Sequence, residues 1–257
     1  MIKKIYYTLL DLATLRKGIP VVINNFKVRL PARYYKYFAK NYEEENFRFF
    51  EKHCKPGMTT LDIGAHFGLL SVFFQKITNG AVYAFEPTLE TLKVLRETVA
   101  INHCTDKVHI IDKAVDAAPG TATFFVQTAI GGRGNTLVKD STIGMTTSSY
   151  EVQVTSVDQF VKEKSLSVDC LKIDAEGVEL GVLKGAADTI SKYRPLILLS
   201  IHPEPIKGRG DSLEEIWDFI QQFHYNVFVD ETPMSKVDFC SAVNLFDVHL
   251  TPGKPEC

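Results

Sequence analysis

What the sequence lacks narrows the field first. Its five cysteines, Cys54, Cys104, Cys170, Cys240 and Cys257, include no C-x-x-C pair and no nearby histidine at ligand spacing. That argues against a structural zinc site and against a disulfide scaffold. An odd, unclustered set points to reduced thiols and so to a cytoplasmic setting. No apolar run approaches the roughly 18 residues of a membrane span, because charges interrupt the longest candidates. The opening MIKKIYYTLLDLATLRKG begins basic, but it carries Asp11 inside its apolar stretch and has no small-residue cleavage site. It reads as a short amphipathic helix and not as a signal peptide. Internal repeats and low-complexity tracts are missing too. With 257 residues, 45% hydrophobic, 23% charged and a formal net charge of −2, the chain is neither disordered nor collagen-like. It is long enough to bury a core without metal or disulfide support.

The small net charge conceals an uneven distribution. Residues 1–40 hold nine Lys or Arg (Lys3, Lys4, Arg16, Lys17, Lys27, Arg29, Arg33, Lys36, Lys40) against one acid, Asp11, a balance of +8 that leaves −10 on the rest. Tyr6, Tyr7, Phe26, Tyr34, Tyr35, Tyr37 and Phe38 are interleaved with them. Two readings stand. The segment is an arm that meets an anionic partner, with peripheral contact to an acidic membrane face retained as the expectation and nucleic acid not expected. Alternatively the cations are solvated while the aromatics pack onto the main domain. The domain expectation is an extension over 1–42 and one domain over 43–257.

From about residue 58 short β-rich runs alternate with helix-periodic segments, as in βαβ units and a parallel sheet. The strands are TTLDI, AVYAF, VHII, CLKI and LILLSI. GLLSVFFQKI and TLETLKVLRETVAINH are helices between the first three, the latter with Thr88 at its N-cap and Leu92, Leu95 and Val99 on one face. The stretch from Lys113 to Cys170 exceeds one crossover helix. TATFFV and SSYEVQVTSV therefore predict an inserted β-hairpin over about 117–156, joined by a glycine-rich loop that contains Arg133 and Asn135. Asp158 to Lys164 predicts a short helix. SLEEIWDFIQQFH predicts a helix opened by a Ser212/Glu215 capping box. YNVFVD and AVNLFDVHL predict an antiparallel hairpin at one sheet edge.

TTLDIGAHFGLL is the sharpest motif. A strand ends at Asp62, and Gly64 and Gly68 bracket a tight turn into a helix, so the spacing predicts bare backbone amides open to a ligand. Glu86 ends the second strand in AFEP, where a carboxylate can accept hydrogen bonds from both ribose hydroxyls. A dinucleotide fingerprint wants G-x-G-x-x-G so that a pyrophosphate can sit on the helix N-terminus. Here the pattern is D-x-G-x-x-x-G, with His66 where the second glycine belongs, and its side chain would crowd a pyrophosphate. A phosphate-free cofactor whose ammonium Asp62 could hold fits better, and S-adenosylmethionine has those properties.

These residues resemble the FkbM-type family of S-adenosylmethionine-dependent methyltransferases. The likeness covers roughly 43 to 229 and is carried by EEENFRFFEKHCKPGMTTLDIGAHFG, AVYAFEP, VHIIDKAV, VTSVDQF, and CLKIDAEGVELGVLKGA followed by YRPLILLSIHPE. The resemblance implies an α/β class I methyltransferase fold, Rossmann-like, with a mostly parallel seven-stranded sheet whose last strand is antiparallel. It also implies methyl transfer to a hydroxyl of a sugar, glycolipid or secondary-metabolite scaffold. It assigns Asp62, Gly64, Ala65, His66, Gly68, Glu86 and Pro87 to the cofactor, Asp112 and Lys113 to the surroundings of adenine, and Asp174 and Glu176 to the methionine end and the acceptor. His66 replaces an Asn common in the loop, and Ser200 stands where the family often has a Glu.

Methyl transfer from a sulfonium is an in-line displacement, and a neutral hydroxyl needs a base to take its proton. Asp174, at the end of the fourth strand, and His202, after the fifth, should face each other across the cleft. His202, with an intrinsic pKa of about 6.5, suits a general base, and Glu176 competes for the role. Against these stand plainer roles: Asp174 as a helix N-cap, His202 as a loop histidine satisfied by backbone. Asp174, Glu176 and His202 could together ligate a divalent metal, although nothing in their spacing demands one and none is expected. Arg133 and Asn135 are candidates for holding a polar acceptor. The competing functions are an NAD(P)-dependent oxidoreductase and a non-catalytic cofactor- or carbohydrate-binding module. Oligomeric state is not written in the sequence.

Overall fold

The computed structural model describes residues 2–127, 135–138 and 146–254. The N-terminal part comprises helix α1 (Ile2–Ala13), an antiparallel hairpin of β1 (Ile19–Ile23) and β2 (Phe26–Leu30), and helix α2 (Glu44–His53). The sheet then builds through β3 (Thr60–Ile63), α3 (Leu69–Thr78), β4 (Val82–Phe85), α4 (Leu89–Ile101) and β5 (Val108–Ile111). An insertion follows, with β6 (Ala114–Val115), β7 (Gly120–Gln127) and β8 (Thr146–Thr155) forming a separate three-stranded sheet. The chain continues through α5 (Val157–Lys164), β9 (Cys170–Ile173), α6 (Glu179–Lys184), α7 (Ala187–Tyr193), β10 (Leu196–Ile201), α8 (Pro203–Arg209) and α9 (Leu213–Gln222). It ends with β11 (Tyr225–Val229), β12 (Thr232–Pro233), α10 (Lys236–Ser241) and β13 (Phe246–Pro252).

The main sheet has the order β12-β11-β13-β10-β9-β3-β4-β5. Strands β5, β4, β3, β9 and β10 are mutually parallel, and β13 runs antiparallel to both neighbours. The antiparallel last strand is as expected; the two-residue edge strand β12 raises the number of strands to eight. The expected antiparallel pairing of β11 with β13 is found at one end of the sheet, with β13 between β10 and β11, so the last strand itself is interior. Its Val248 and Leu250 are fully buried there, which an edge position would not achieve.

Strand alternation divides the core into two faces. Leu61, Ile63, Leu171, Ile173, Ile197 and Leu199 point into one cluster with α5, α6, α7 and α9. The opposite positions, including Cys170 and Leu198, meet α2, α3 and α4. The β1–β2 hairpin belongs to this second core: Ile23, Val28 and Leu30 are buried, and Phe26 packs edge-on against Phe73 at 5.3 Å. Asn102, the C-cap of α4, locks it in place, accepting from the Arg29 amide at 2.9 Å and donating to the Arg29 carbonyl at 2.7 Å. Different parts of residues 1–40 are thus placed differently. Phe26 and Phe38 pack inward, while Tyr6, Leu9, Leu12, Leu15, Arg16 and Lys17 are exposed.

Connections from β3 lead toward β4 and β5, whereas those from β9 lead toward β10. The crevice at the carboxyl ends of β3 and β9 is therefore the topological switch point, where open α/β sheets bind ligands.

Candidate active site

A cavity of about 490 Å³ occupies that crevice. Gly64, Ala65 and His66 line it from the loop after β3, Glu86 and Pro87 from the end of β4, and Lys113 from beyond β5. Asp174 and Glu176 enter after β9, His202 after β10, and Asn135 from the insertion. Asp62, Gly68 and Asp112 do not reach it. Arg133 lies outside the described residues.

The loop after β3 is shaped by its own packing. Gly64 has φ +75°, and a Cβ there would stand 2.0 Å from the Asp174 carbonyl oxygen, so glycine is required by the approach of two backbones. The expected bare amides are absent: Gly64 and Ala65 N–H both donate to the Phe85 carbonyl, at 3.0 and 2.9 Å. The His66 amide instead donates to Glu86 Oε2 at 3.0 Å. Gly68 caps α3 at φ +82°, where a Cβ would strike Leu95. Its role is helix packing.

Asp62 is also reassigned. Alternation turns its side chain toward α3, where Ser71 donates to Oδ2 and Lys172 Nζ sits 3.3 Å from Oδ1. Asp62 and Lys172 are register partners on adjacent strands. The carboxylate is fully buried and committed to this ion pair, so it cannot receive a cofactor ammonium. Lys172 further donates to the Gly64 carbonyl and lies 3.6 Å from Asp174 Oδ2, tying the loop after β3 to the end of β9. Burial works against its charge, but Asp62, Asp174 and Glu43 more than compensate and raise its pKa. A lone lysine in the apolar run CLKI was the available signal, since a buried cation needs a partner.

Glu86 is the cavity's fixed acceptor. Besides the His66 amide it takes the Thr88 amide on Oε1 at 2.8 Å. Burial raises its pKa, and these donors hold it back. Thr88 occupies the N-cap of α4 without its side chain bonding to the helix; Asn135 Nδ2 donates to its hydroxyl at 3.4 Å instead. The insertion closes over the cavity. Phe124, Asn135 and Leu137 line it, Thr136 Oγ1 donates to the Glu176 carbonyl, and Tyr150 donates to the Pro87 carbonyl at 3.2 Å.

At the other end Asp174, Glu176 and His202 meet as expected. His202 Nε2 is 3.6 Å from Asp174 and 3.4 Å from Glu176, while Nδ1 is 2.8 Å from the buried Glu179. Asp174 is no N-cap, since α6 begins after Val178. The reading of His202 as general base is corrected. Burial opposes its charge, but the Glu179 hydrogen bond and the charges of Glu179, Asp174 and Glu176 push its pKa up to about 10. It is an imidazolium at neutral pH and has no free lone pair for a substrate proton. Asp174 in turn is held below the usual carboxylate range: burial is outweighed by Lys172 and His202. The ligand atoms of Asp174, Glu176 and His202 lie within 4.8 Å of one another, close enough to hold a metal ion.

Two acidic residues of the cavity escaped sequence reasoning. Glu43 and Asp247 line it beside Asp174 and Ser200. Asp247 is the register partner of Ser200, so the carboxylate missing at 200 is present on the adjacent strand.

Sheet order, switch-point cavity and acid-terminated β4 define the class I methyltransferase architecture. The methyltransferase FkbM domain matches residues 62–227, and the chain belongs to that family. Methyltransferase FkbM from Methylobacillus flagellatus KT superposes with a TM-score of 0.52 at 15% identity, over 76% of this chain and 44% of that one. The chain thus spans under half the length of that neighbour, and the likeness is one of fold. Precorrin-6y C5,15-methyltransferase from Geobacter metallireducens GS-15 gives a TM-score of 0.47 at 12% identity, over 84% of this chain and 93% of that one. SMU.1697c from Streptococcus mutans, in complex with SAH, gives 0.48 at 12% identity, over 81% and 96%. Among curated protein sequences none matches at a significant level.

Proposed function

We propose that the chain is an S-adenosylmethionine-dependent O-methyltransferase for a hydroxylated, carbohydrate-like or glycolipid acceptor. The observation that carries it is the cavity's polarity: a preorganised carboxylate, Glu86, at one end and the Asp174, Glu176 and His202 cluster at the other. The donor set suits the cofactor. Glu86 offers acceptor lone pairs for two ribose hydroxyls, Lys113 borders the same region, and the Asp174 side accommodates an ammonium. His66, at φ +50° and stacked on Phe67 at 4.0 Å, puts a side chain where a dinucleotide fingerprint has glycine. Bound there, S-adenosylmethionine supplies an electrophilic methyl group. The protein's part is to hold the acceptor oxygen in line, to exclude water through the insertion, and to receive a proton.

The test is calorimetric titration with S-adenosylhomocysteine, followed by radiolabelled methyl transfer to a panel of sugars, glycolipids and phenolic metabolites. Binding that is lost in Glu86→Ala supports the reading. Tight NADH binding in its place favours an oxidoreductase, and cofactor binding with no methylated acceptor in the panel favours a binding module. Turnover that survives EDTA separates this mechanism from a metal-assisted one.

A further inference from the structure

We propose that Glu43, immediately before α2, accepts the proton of the acceptor hydroxyl, and that Asn46 positions it against Asp247. The proposal rests on the cofactor reading above and names the residue that completes its chemistry.

Glu43 and Asp247 come from opposite ends of the chain and meet because β13 inserts beside β10 under α2. Asn46, buried on α2, bridges them: Nδ2 donates to Asp247 Oδ2 at 2.7 Å and to Glu43 Oε2 at 3.3 Å. Its own orientation is fixed by His249, whose Nε2–H donates to Asn46 Oδ1 at 2.8 Å. Burial drives His249 down to about 4, so it is neutral, and its ring is stacked on Phe49 at 4.4 Å. Glu43 has φ +47°, a strained backbone for a residue with a side chain, of the kind that persists where the surroundings over-determine it.

Glu43 and Asp247 both line the cavity, and Glu43 lies close enough to Asp174 and Lys172 to feel their charges. Burial pushes Glu43 up to about 7, reinforced by Asp247 and Asp174 and restrained by the Tyr42 hydroxyl and Lys172. Glu43 is thus pushed toward neutrality, whereas its neighbour Asp174 is held low and His202 keeps its own proton. As the acceptor oxygen bonds to the methyl carbon and the carbon–sulfur electron pair returns to sulfur, the O–H proton passes to Glu43. The products are a methyl ether, S-adenosylhomocysteine and a neutral Glu43 that releases its proton to solvent.

The experiment is a carbon-13 titration of the full chain labelled at glutamate Cδ, with S-adenosylhomocysteine or with sinefungin, which carries an amine where the methylsulfonium would be. One signal, absent in Glu43→Gln, should titrate near 7 with S-adenosylhomocysteine and fall by about one unit or more with sinefungin, because the ammonium faces it. In Asn46→Ala the midpoint should rise, since a donor to the charged form is gone; a merely structural asparagine would leave it unmoved. On any acceptor methylated by the wild type, Glu43→Gln should lose about 10²-fold in kcat, with S-adenosylhomocysteine affinity within about twofold and partial recovery in Glu43→Asp. A Glu43 midpoint identical with both ligands, or full activity in Glu43→Gln, overturns the proposal. Failure of either ligand to bind the wild type would remove the cofactor reading and this proposal with it.

Discussion

Nδ1 of His202 donates to Oε1 of Glu179 across 2.8 Å, and Glu179 is completely buried. Glu179 Oε1 also accepts the Gly177 amide at 3.0 Å, so one carboxylate holds both the histidine and the turn after β9.

Glu179→Gln should therefore remove the nearest of the three carboxylates around a buried imidazolium and cost about 3 kcal/mol of stability at neutral pH and below. The folded pKa of about 10 lies above the unfolded value, so the pair's contribution is complete below about 6.5 and is lost as pH rises through 10. Urea denaturation at pH 6 and pH 10 checks this. The gap between wild type and variant should shrink at the higher pH, and a gap independent of pH would disprove the ion pair.

Gly64→Ala should damage the loop after β3 more than an ordinary surface substitution would. The Cβ would meet the Asp174 carbonyl at 2.0 Å from a φ of +75°, so two backbones must move apart. A loss of about 3 kcal/mol or more in thermal unfolding is expected, together with weakened S-adenosylhomocysteine binding. Normal stability and affinity would refute the close-packing argument.

Glu43→Gln should stabilise the protein while lowering its activity. A carboxyl raised to about 7 penalises the folded state once the unfolded chain ionises above about 4.5. The variant should then match the wild type near pH 4 and exceed it by up to about 3 kcal/mol at pH 8. Denaturant midpoints at the two values decide it; equal stability at pH 8 would show that Glu43 is solvated.

In α1 and the turn after it, Leu9, Leu12 and Leu15 stand in solvent beside Arg16 and Lys17. We propose contact with an anionic membrane through this stretch. Deleting residues 1–17 should keep the fold and abolish co-sedimentation with phosphatidylserine vesicles at low salt, and high salt should release the intact chain. Deleting residues 1–40 should instead unfold the protein, because it removes Ile23, Val28 and Leu30 from the core. Retained binding after the shorter deletion would exclude α1 as the contact.

Much of this was local and therefore legible. Apolar runs such as LDI and LKI bury on both faces of a parallel sheet, and the Ser212 to Glu215 capping box closes within one turn. The AFEP acid and the pairing of KIDAEG with the LLSIHPE histidine follow from strand ends that must share one edge of the sheet. Glycine spacing misled where it was read as an opening for ligand, because its cause was a carbonyl on another strand. Asp62 misled in the same way: the residue type promised a salt bridge, but only register decided that Lys172 would be the partner.

The sequence by itself thus determined the fold class, the switch-point cleft, the acid at the end of β4 and the cluster at the cleft's far end, since each depends on periodicity or on a strand terminus. Tertiary structure alone decided which acids are spent and which are poised. The burial of Asp62 against Lys172, the proton held on His202 by three carboxylates, and the meeting of Glu43 with Asp247 through Asn46 all depend on non-local pairing. Charge states at such sites are set by desolvation and by neighbours a few ångströms away in space, however far apart they lie along the chain.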